Sequence, residues 1–508
     1  MRTTIQYGVL KGKPYRPVQA QAIEAITATD RNYIACNAPT GVGKSVIAMD
    51  SMSRPLIYLC SSKHLQDQIR RDYPEAAVIK GRENYPCPVF NDASMCFLSP
   101  SQCGEECEYQ AAKMKALRAD VAVMNYHYFL AYMNFAKRND EPLRNVVVDE
   151  ADALEDIVTN FIAFDLDISR LERKGLQSKP KKKTVIDSVI VFLRDLKAEV
   201  TDHIRQMKEN VGEIKEKVKA GHHLAKEEIR ILRRHKWYEN LLWKCNFLLT
   251  QDLKTGWVYY YDEHNIYLKP KWLSRGLFDQ YFLRHGLKFL FLSATLPAYV
   301  VFCGLFGFGL DEVEYLEFSS DFPVENRPVI FEPKWELSRS KKTEVDRIRK
   351  EVLGLIEYEK GKGIIHTVNY SLAEILKNLH PRLIFHNSHD RERQFKRFLK
   401  SADGIWVSPS SIRGIDLPYD LCRWILFIKC PFADLSDPVT SARAYSGKFG
   451  NLWYKARCIQ DIIQGAGRGM RNSDDWCRTY VWDGMALDLL RRNASLFPVW
   501  FREAVEIR

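Results

Sequence analysis

Eight consecutive residues early in the chain have the types and spacing of a phosphate-binding loop. They follow the apolar run 33–36 and precede 46–49, which reads as the start of a helix. Glycines let backbone N–H groups turn toward one anion, and the following helix adds its unpaired N–H groups. In such a loop the lysine reaches the β- and γ-phosphates of ATP, and the serine hydroxyl binds Mg²⁺. The eight residues predicted to bind the nucleotide are Ala38, Pro39, Thr40, Gly41, Val42, Gly43, Lys44 and Ser45.

Carboxylates follow a second apolar run. Asp149, Glu150 and Asp152 come directly after 146–148. Parallel strands present their functional residues at the carboxyl edge of the sheet, so this acidic box should lie beside the phosphate loop. Asp149 is predicted to hold Mg²⁺, and Glu150 to orient the attacking water or accept its proton. An acid-rich helix start is the alternative interpretation.

Two further polar groups are placed to serve the same site. Gln19 precedes the loop by about twenty residues, and its amide matches the polar edge of adenine, although a helix cap is an alternative. Ser293 and Thr295 follow the apolar run 289–292. We expect these hydroxyls to hydrogen-bond the acidic box and link it to the next domain.

A second α/β unit follows a composition shift around 319–342. Apolar runs at 363–366, 383–385 and 405–407 alternate with helical patterns, which predicts another parallel sheet. A predicted helix after it contains Gln464, Arg468 and Arg471. The two arginines are three residues apart, so they should share one helix face and reach a triphosphate across a cleft.

Four cysteines lie between the phosphate loop and the acidic box. They are Cys87, Cys96, Cys103 and Cys107. Their segment is rich in proline and has no helical or strand period, so four thiolates around a metal centre would supply its order. Zinc sites usually show two close cysteine pairs, whereas only Cys103 and Cys107 are close here, which favours an iron–sulfur cluster. Zinc and free structural cysteines are the alternatives.

Between the acidic box and Ser293 the sequence turns helical. Apolar residues recur at spacings of four and three from Leu196 to Val218, which is typical of a helix that packs against a partner helix. A second helical pattern runs from Leu224 to Trp243. The two should form a protruding antiparallel hairpin, which a basic linker at 177–183 precedes.

The composition limits the kinds of protein that this chain can be. The 508 residues are 46% hydrophobic, with a formal net charge of +11, which indicates several globular units and favours a polyanionic partner. No apolar run approaches a transmembrane length, and residues 1–6 lack the apolar core of a signal peptide. We therefore expect an intracellular, reducing location and no membrane partner.

The order of these motifs resembles the superfamily 2 iron–sulfur helicases of the XPD/DinG family. That family also has a cysteine segment between the phosphate loop and the acidic box, and a helical insertion between the box and Ser-Ala-Thr. The segments that carry the resemblance are Ala38 to Ser45, Asp149 to Asp152, Ser293 to Thr295, Gly414 to Asp416 and Gln464 to Arg471.

The resemblance implies an α/β fold with two RecA-like parallel-sheet motor domains and two insertions in the first. The first motor domain would occupy 1–83, 111–165 and 253–320, the cluster insertion 84–110, the arch-like helical insertion 166–252, and the second motor domain 321–508. Catalytic roles are implied for Gln464, Arg468 and Arg471. Nucleotide contacts are implied for Asp152, Gly414 and Asp416.

The implied activity is that of an ATP-dependent DNA helicase using ATP, Mg²⁺ and a 4Fe-4S cluster. It would move 5′→3′ along single-stranded DNA, unwind forked or tailed duplex as a monomer, and serve repair or replication in the cytoplasm beside the nucleoid. The rival interpretations are an RNA helicase and a nucleic-acid-binding scaffold with an inactive motor.

Overall fold

The computed structural model describes residues 3–87, 90–95, 107–135, 142–220, 222, 224–337, 344–409, 417–470 and 473–508. Within them the chain forms two seven-stranded parallel sheets with helices on both faces, which confirms the predicted fold class. None of the described helices combines the length and apolar character needed to cross a membrane.

The strands are labelled in chain order. They are β1 (Tyr33–Asn37), β2 (Leu56–Cys60), β3 (Ala77–Val78), β4 (Pro86–Cys87), β5 (Asn91–Asp92), β6 (Val121–Asn125), β7 (Arg144–Asp149), β8 (Phe164–Asp167), β9 (Trp257–Tyr261), β10 (Asn265–Pro270), β11 (Gly286–Ser293), β12 (Val313–Glu317), β13 (Val329–Trp335), β14 (Gly363–His366), β15 (Leu383–Ile384), β16 (Ile405–Ser408), β17 (Trp424–Phe427), β18 (Arg478–Asp483) and β19 (Val505–Ile507).

The α-helices are labelled in the same way. They are α1 (Pro17–Ala28), α2 (Lys44–Ser51), α3 (Lys63–Asp72), α4 (Glu108–Arg118), α5 (Tyr126–Phe135), α6 (Leu154–Ile162), α7 (Ile168–Arg173), α8 (Ile186–Gln206), α9 (Lys208–Lys219), α10 (Lys226–Leu249), α11 (Arg275–Tyr281), α12 (Tyr299–Phe306), α13 (Val345–Tyr358), α14 (Tyr370–Ile375), α15 (Arg391–Lys400), α16 (Pro438–Ala444), α17 (Gly447–Ala466), α18 (Gly484–Arg492) and α19 (Val499–Arg502).

The first sheet has the strand order β12-β1-β11-β7-β2-β6-β3, and every neighbouring pair is parallel. Its central strands are apolar throughout because helices cover both faces of the sheet. The register pairs Asn37 with Ser293, and Leu292 with Asp149. The phosphate loop, the acidic box and Ser293 therefore leave the sheet at the same edge.

The second sheet has the order β15-β16-β14-β17-β18-β13-β19 and is also parallel. The three strands predicted at 363–366, 383–385 and 405–407 correspond to β14, β15 and β16. The helix α17 runs from this domain toward the first sheet, since Trp453 and Ala456 belong to the hydrophobic core of the first domain.

Helices α7 to α10 occupy the region where the sequence predicts a helical insertion. Most of its predicted seam is buried, with Ile204 and Met207 half-buried, but the helix is interrupted at Met207 and continues as α9. The reason is a change of packing partner. Residues up to Val200 join the core of the first domain, whereas Val211, Ile214 and Val218 pack with Cys87 and Phe90 of the cysteine segment.

A three-stranded antiparallel sheet of order β8-β10-β9 lies at the base of these helices. No pattern in the sequence predicts this sheet. Its strands are short and β8 is separated from its partner β10 by the whole helical region, so the pairing leaves little local signal.

Candidate nucleotide site between the two motor domains

The phosphate loop connects β1 to α2 and depends on two glycines in the left-handed region. Gly41 has φ +76° and Gly43 has φ +84°. A Cβ at Gly43 would lie 2.6 Å from Nε2 of Gln19. The left-handed backbone therefore requires glycine at position 43, and a Cβ there would also displace the Gln19 amide.

Gln19 is buried and holds the loop. Its Nε2 donates to the carbonyl of Val42 at 2.9 Å, and its Oε1 accepts from the backbone N–H of Arg16 at 3.0 Å. The Arg16 guanidinium in turn donates to the carbonyl of Gly41 at 2.8 Å. The structure thus places Gln19 at the nucleotide loop, and its contact with adenine stays a prediction.

Lys44 and Ser45 open helix α2, as predicted from their position after the glycines. Nζ of Lys44 lies 3.5 Å from the carbonyl oxygen of Pro39. The positive charge of Lys44 lowers the pKa of Asp149 across the site. Ser45 forms a side-chain hydrogen bond with Tyr73 that opposes the rise in the pKa of that phenol. A hydroxyl oxygen has two lone pairs, so this hydrogen bond leaves Ser45 at least one with which to bind a cation.

Asp149 ends β7 between two tyrosines. The hydroxyl of Tyr58 donates to Oδ2 at 3.0 Å, and that of Tyr126 donates to the backbone carbonyl of Asp149 at 2.5 Å. Desolvation raises the pKa of Asp149, while the charge of Lys44 and the Tyr58 hydrogen bond lower it. An acid whose charge is this poorly solvated gains from a bound cation.

Glu150 has a left-handed backbone, with φ +56°. A non-glycine residue adopts this conformation at a cost of about 1–3 kcal/mol. The turn brings its carboxylate to the hydroxyl of Ser61, which donates to Oε2. Burial raises the pKa of Glu150, and the neighbouring Asp149 and Asp152 raise it further. A carboxyl with a raised pKa is better suited to accept a proton than an ordinary one.

Asp152 connects the acidic box to the second domain. Ser293 Oγ donates to Oδ1 at 2.6 Å, and Nε2 of Gln464 donates to Oδ2 at 2.6 Å. The same Gln464 nitrogen lies 3.1 Å from the hydroxyl of Thr295, and Gln460 donates to the carbonyl of Thr295 at 2.9 Å. The hydrogen bond predicted between Ser293 and the acidic box is therefore present.

The position of Arg468 differs from the prediction. Helix α17 ends at Ala466, so Arg468 lies in the turn that follows the helix and not on a helix face. The glycines explain the end of the helix. A Cβ at Gly469 would lie 2.3 Å from Sγ of Cys477, and one at Gly467 would lie 3.1 Å from Cγ2 of Thr40. The turn is thereby packed directly against the phosphate loop.

His366 lies beside this turn at the end of β14. Its ring stacks on Phe427 with 4.7 Å between ring centroids. Burial, and then the charge of Arg468, lower the pKa of His366 to about 3. The imidazole is therefore neutral at physiological pH and adds no second positive charge next to Arg468.

Comparison with known proteins shows which family has this arrangement of residues. A DEAD/DEAH box helicase model matches residues 16–188, and a helicase C-terminal domain model matches residues 358–504. The ATP-dependent DNA helicase YoaA of Haemophilus influenzae is 21% identical, with 91% of this chain and 90% of that protein covered. DinG of Photobacterium profundum is 23% identical over 40% of this chain and 33% of its own length. A solved XPD helicase superposes with a TM-score of 0.60 at 14% identity, covering 97% of this chain and 98% of its own.

The chain is a superfamily 2 helicase of the XPD/DinG type. It is an ATP-hydrolysing helicase, as predicted. The identity to the solved structures is low, so their likeness is evidence for the fold alone.

Several predicted site residues of this helicase lie outside the described residues. They are Cys96, Cys103, Gly414, Asp416 and Arg471. Of the other two predicted cluster ligands, Cys87 is buried in β4 and Cys107 is half-buried immediately before α4. The described part of the chain holds no group of three or more His, Cys, Asp or Glu that could bind a metal ion. Thiolates suit an iron–sulfur cluster, but only two of the four predicted ones are in that part.

Sequence reasoning missed the ion pair that joins the two motor domains of the helicase. Arg443 of α16 binds Glu155 of α6 through Nη1 and Nη2 of its guanidinium, and its Nε donates to the carbonyl of Lys271 at 2.6 Å. Its guanidinium also lies 5.1 Å from the centre of the Trp272 ring. Such a pair leaves no local signature, because its partners are far apart in the chain.

Tyr58 and Tyr126 were missed as well. Each is a tyrosine in or beside an otherwise apolar strand, where a hydroxyl must find a partner when it is buried. A polar hydroxyl in such an apolar segment was the sequence signal that could have identified these two residues.

Proposed function

We propose that this helicase couples ATP hydrolysis to movement along single-stranded DNA and to the separation of duplex DNA. The observation that carries the proposal is the hydrogen-bonded path from Asp152 through Ser293 and Thr295 to Gln464. It joins the acidic box of one motor domain to the last turn of α17 in the other. A change at the nucleotide can thereby shift the two domains relative to each other.

The residues of the phosphate loop have the chemistry to hold the nucleotide. The left-handed glycines direct backbone N–H groups inward, and Lys44 contributes a positive charge. Asp149 and Ser45 would hold Mg²⁺, which neutralises charge on the phosphates. Glu150 would orient the water and accept its proton, since its pKa is already raised.

Arg468 would complete the site from the second domain. Gly467 touches Thr40 of the phosphate loop, so the arginine next to it stands at the domain boundary. A guanidinium there stabilises the negative charge that develops on the transferred phosphoryl group. Its position would depend on domain closure, which ties hydrolysis to movement. Arg471, Gly414 and Asp416 remain proposed participants.

For the cysteine segment we propose a 4Fe-4S cluster held by Cys87, Cys96, Cys103 and Cys107. The thiolate donor set and the similarity to DinG and XPD helicases support it. The cluster would supply structural order to a segment that has little apolar surface of its own. Its rigidity would help to part the strands of a duplex.

The polarity 5′→3′, action on forked or tailed duplex, the monomeric state and a location beside the nucleoid complete the proposal. An RNA substrate is the second candidate, because an acidic box ending in aspartate, as at Asp152, is typical of RNA helicases. The DNA helicase relatives favour DNA.

One experiment separates these possibilities. Unwinding is measured on duplexes with a 5′ or a 3′ single-stranded tail, and ATP hydrolysis is measured with single-stranded DNA or RNA as activator. The proposal expects unwinding of the 5′-tailed duplex and stimulation by DNA. Stimulation by RNA alone would identify the protein as an RNA helicase, the second candidate. ATP hydrolysis that neither DNA nor RNA stimulates would contradict the coupling. Lys44→Ala is the matched inactive control.

A further inference from the structure

Five cations converge where α7 adjoins α10 in the helical insertion. Arg170 and Lys174 are four residues apart at α7, and Arg230 and Arg234 are four residues apart on α10. Arg173 completes this basic arch cluster. Like charges at this spacing repel each other. Partial burial lowers the pKa of Lys174, and the charges of the other four members lower it further.

Carboxylates neutralise only part of the basic arch cluster. Arg173 pairs with Asp167 at 3.2 Å, and Arg230 pairs with Glu227 at 3.5 Å. The nearby Glu172 pairs with Lys179. Arg170, Lys174 and Arg234 form no ion pair with a carboxylate in the part of the chain that the structure describes.

These three cations are nevertheless held in place. Arg170 and Lys174 lie 5.6 and 5.9 Å from the centre of the Trp237 ring. Arg234 donates from Nε to the hydroxyl of Tyr238 at 3.1 Å and from Nη2 to the carbonyl of Lys174 at 2.6 Å. Neutral aromatic and carbonyl groups fix the side chains without cancelling their charge. An anion that binds here pays little for ordering them.

The basic arch cluster faces away from the cysteine segment. Leu232 of α10 packs with Cys87 and Phe90, and Lys236 donates to the carbonyl of Ser94 at 2.6 Å. Arg230, Arg234 and Trp237 lie on the opposite side of the same helix, because a residue advances about 100° around an α-helix. The cluster is thus a surface of its own, separate from the contact between the two insertions.

We propose that the basic arch cluster binds the phosphate backbone of the nucleic acid on which the helicase acts. The proposal rests on the proposed function and adds a binding surface to it. Unpaired guanidinium groups on an exposed face match the geometry of phosphate oxygens. The phosphates belong either to a single strand or to the duplex ahead of it, and the test has one arm for each.

The test measures how the DNA affinity of the full chain depends on salt. The test variant is Arg170→Ala/Lys174→Ala/Arg234→Ala. The control is Arg205→Ala/Lys217→Ala/Lys219→Ala, which removes the same charge from the same insertion, but from cations paired with Asp202, Glu228 and Glu216. The DNAs are a single strand and a tailed duplex with a tail too short to reach past the motor domains. ATP hydrolysis without DNA checks that each variant is folded.

Each phosphate contact contributes about 0.7 to the slope of log affinity against log salt for a single strand, and about 0.9 for a duplex. We expect the slope of the test variant to be smaller by about 2 if a single strand occupies the cluster, or by about 3 if a duplex does. The control should keep the slope of the wild type. Arg170 is exposed, so Arg170→Ala alone should lower the slope by about 0.7 with a single strand or about 0.9 with a duplex, without disturbing the fold.

Equal slopes for the test variant, the control and the wild type on both DNAs would overturn the inference, even where the wild type binds DNA tightly. A wild type that binds no DNA and is not stimulated by it would overturn the proposed function and this inference together. Loss of binding to a polyglutamate peptide with unchanged DNA slopes would assign the cluster to an acidic protein and also overturn the inference.

Discussion

Arg443 and Glu155 form a two-pronged ion pair across the two motor domains. Nη1 of Arg443 donates to Oε2 of Glu155 at 3.0 Å and Nη2 donates to Oε1 at 2.8 Å. The two side chains are only 4% and 8% exposed. Glu155 follows the acidic box on α6, so the pair fixes the box against the second domain within one helical turn of Asp152.

Replacing Arg443 by methionine leaves the Glu155 carboxylate buried without its cation. Removing one partner of a buried ion pair costs about 3–5 kcal/mol, so the free energy of unfolding should fall by about that amount in urea denaturation. The double variant Glu155→Leu/Arg443→Met should recover most of the loss, because it removes both charges.

Arg205→Ala is the matched control, since its pair with Asp202 is 76% and 58% exposed. Such exposed pairs contribute less than about 1 kcal/mol. A double variant as unstable as Arg443→Met would show that packing around the guanidinium, and not the unpaired charge, explains the loss.

Lys44→Ala should abolish ATP hydrolysis and leave single-stranded DNA binding largely intact. Lys44 stands at the phosphate loop and acts on Asp149, whereas the strand is expected on another face of the two domains. Phosphate release and fluorescence anisotropy of a labelled strand measure the two properties. Lys288→Ala, at the opposite edge of the same sheet, should change neither. A parallel loss of DNA binding in Lys44→Ala would refute this separation.

Arg468→Ala should slow ATP turnover far more than it weakens ATP binding. An arginine that acts on transition-state charge contributes about 10³–10⁵ to the rate in related phosphoryl transfers. Steady-state kinetics give turnover, and displacement of a fluorescent nucleotide gives affinity. Arg393→Ala on the exposed helix α15 is the control. If affinity and turnover fall equally, Arg468 contacts the ground state instead.

His366 should make the protein less stable in mild acid. Its pKa is lowered to about 3 in the folded protein from an ordinary value of 6.5. Between these values the unfolded chain binds a proton that the folded chain does not, so stability falls as the pH decreases. The fall should be about 1.4 kcal/mol per pH unit for this one group.

His366→Phe and His366→Asn should both lose this dependence, because neither side chain titrates. Chemical denaturation from pH 7 to pH 4 measures it as the difference between variant and wild type. Phe should also preserve the stacking on Phe427, while Asn should not. If the difference in stability between variant and wild type stays constant across that range, His366 is not the group that takes up a proton on unfolding.

Protein purified without oxygen should be brown and contain about four irons per chain, the content of a cube cluster with four cysteine ligands. Cys107→Ser should bleach it and make residues 84–107 sensitive to proteases, since ligation orders the segment. Cys303 is a buried cysteine of α12 outside the segment, so the control variant Cys303→Ser should leave the colour unchanged. Colourless protein with stoichiometric zinc would exclude the cluster.

Much of the nucleotide site could be predicted because its residues follow buried strands. Each apolar run at 33–36, 146–148 and 289–292 became a central strand of one parallel sheet. Parallel strands end at a common edge, so Lys44, Asp149 and Ser293 had to meet there. Local sequence and topology were sufficient for this part of the site.

The rest depends on contacts that local sequence does not encode. Arg468 leaves its helix because Gly467 and Gly469 must approach Thr40 and Cys477, which are distant in the chain. The pairing of Arg443 with Glu155 joins residues from different domains. The helical seam from Leu196 to Val218 was read as one helix because its spacing does not show that the packing partner changes at Met207.

The contact between the two insertions also orders events in time. Cys87 and Phe90 are covered by Val211 and Leu232, which are synthesised only after the whole acidic box. At roughly 5–20 residues per second, the cysteine segment of a growing chain waits on the order of 10 s before its cover exists. Val211 and Leu232 can therefore close over Cys87 only after this stretch has been synthesised, and the rate of translation through the helical insertion sets the earliest time of that contact.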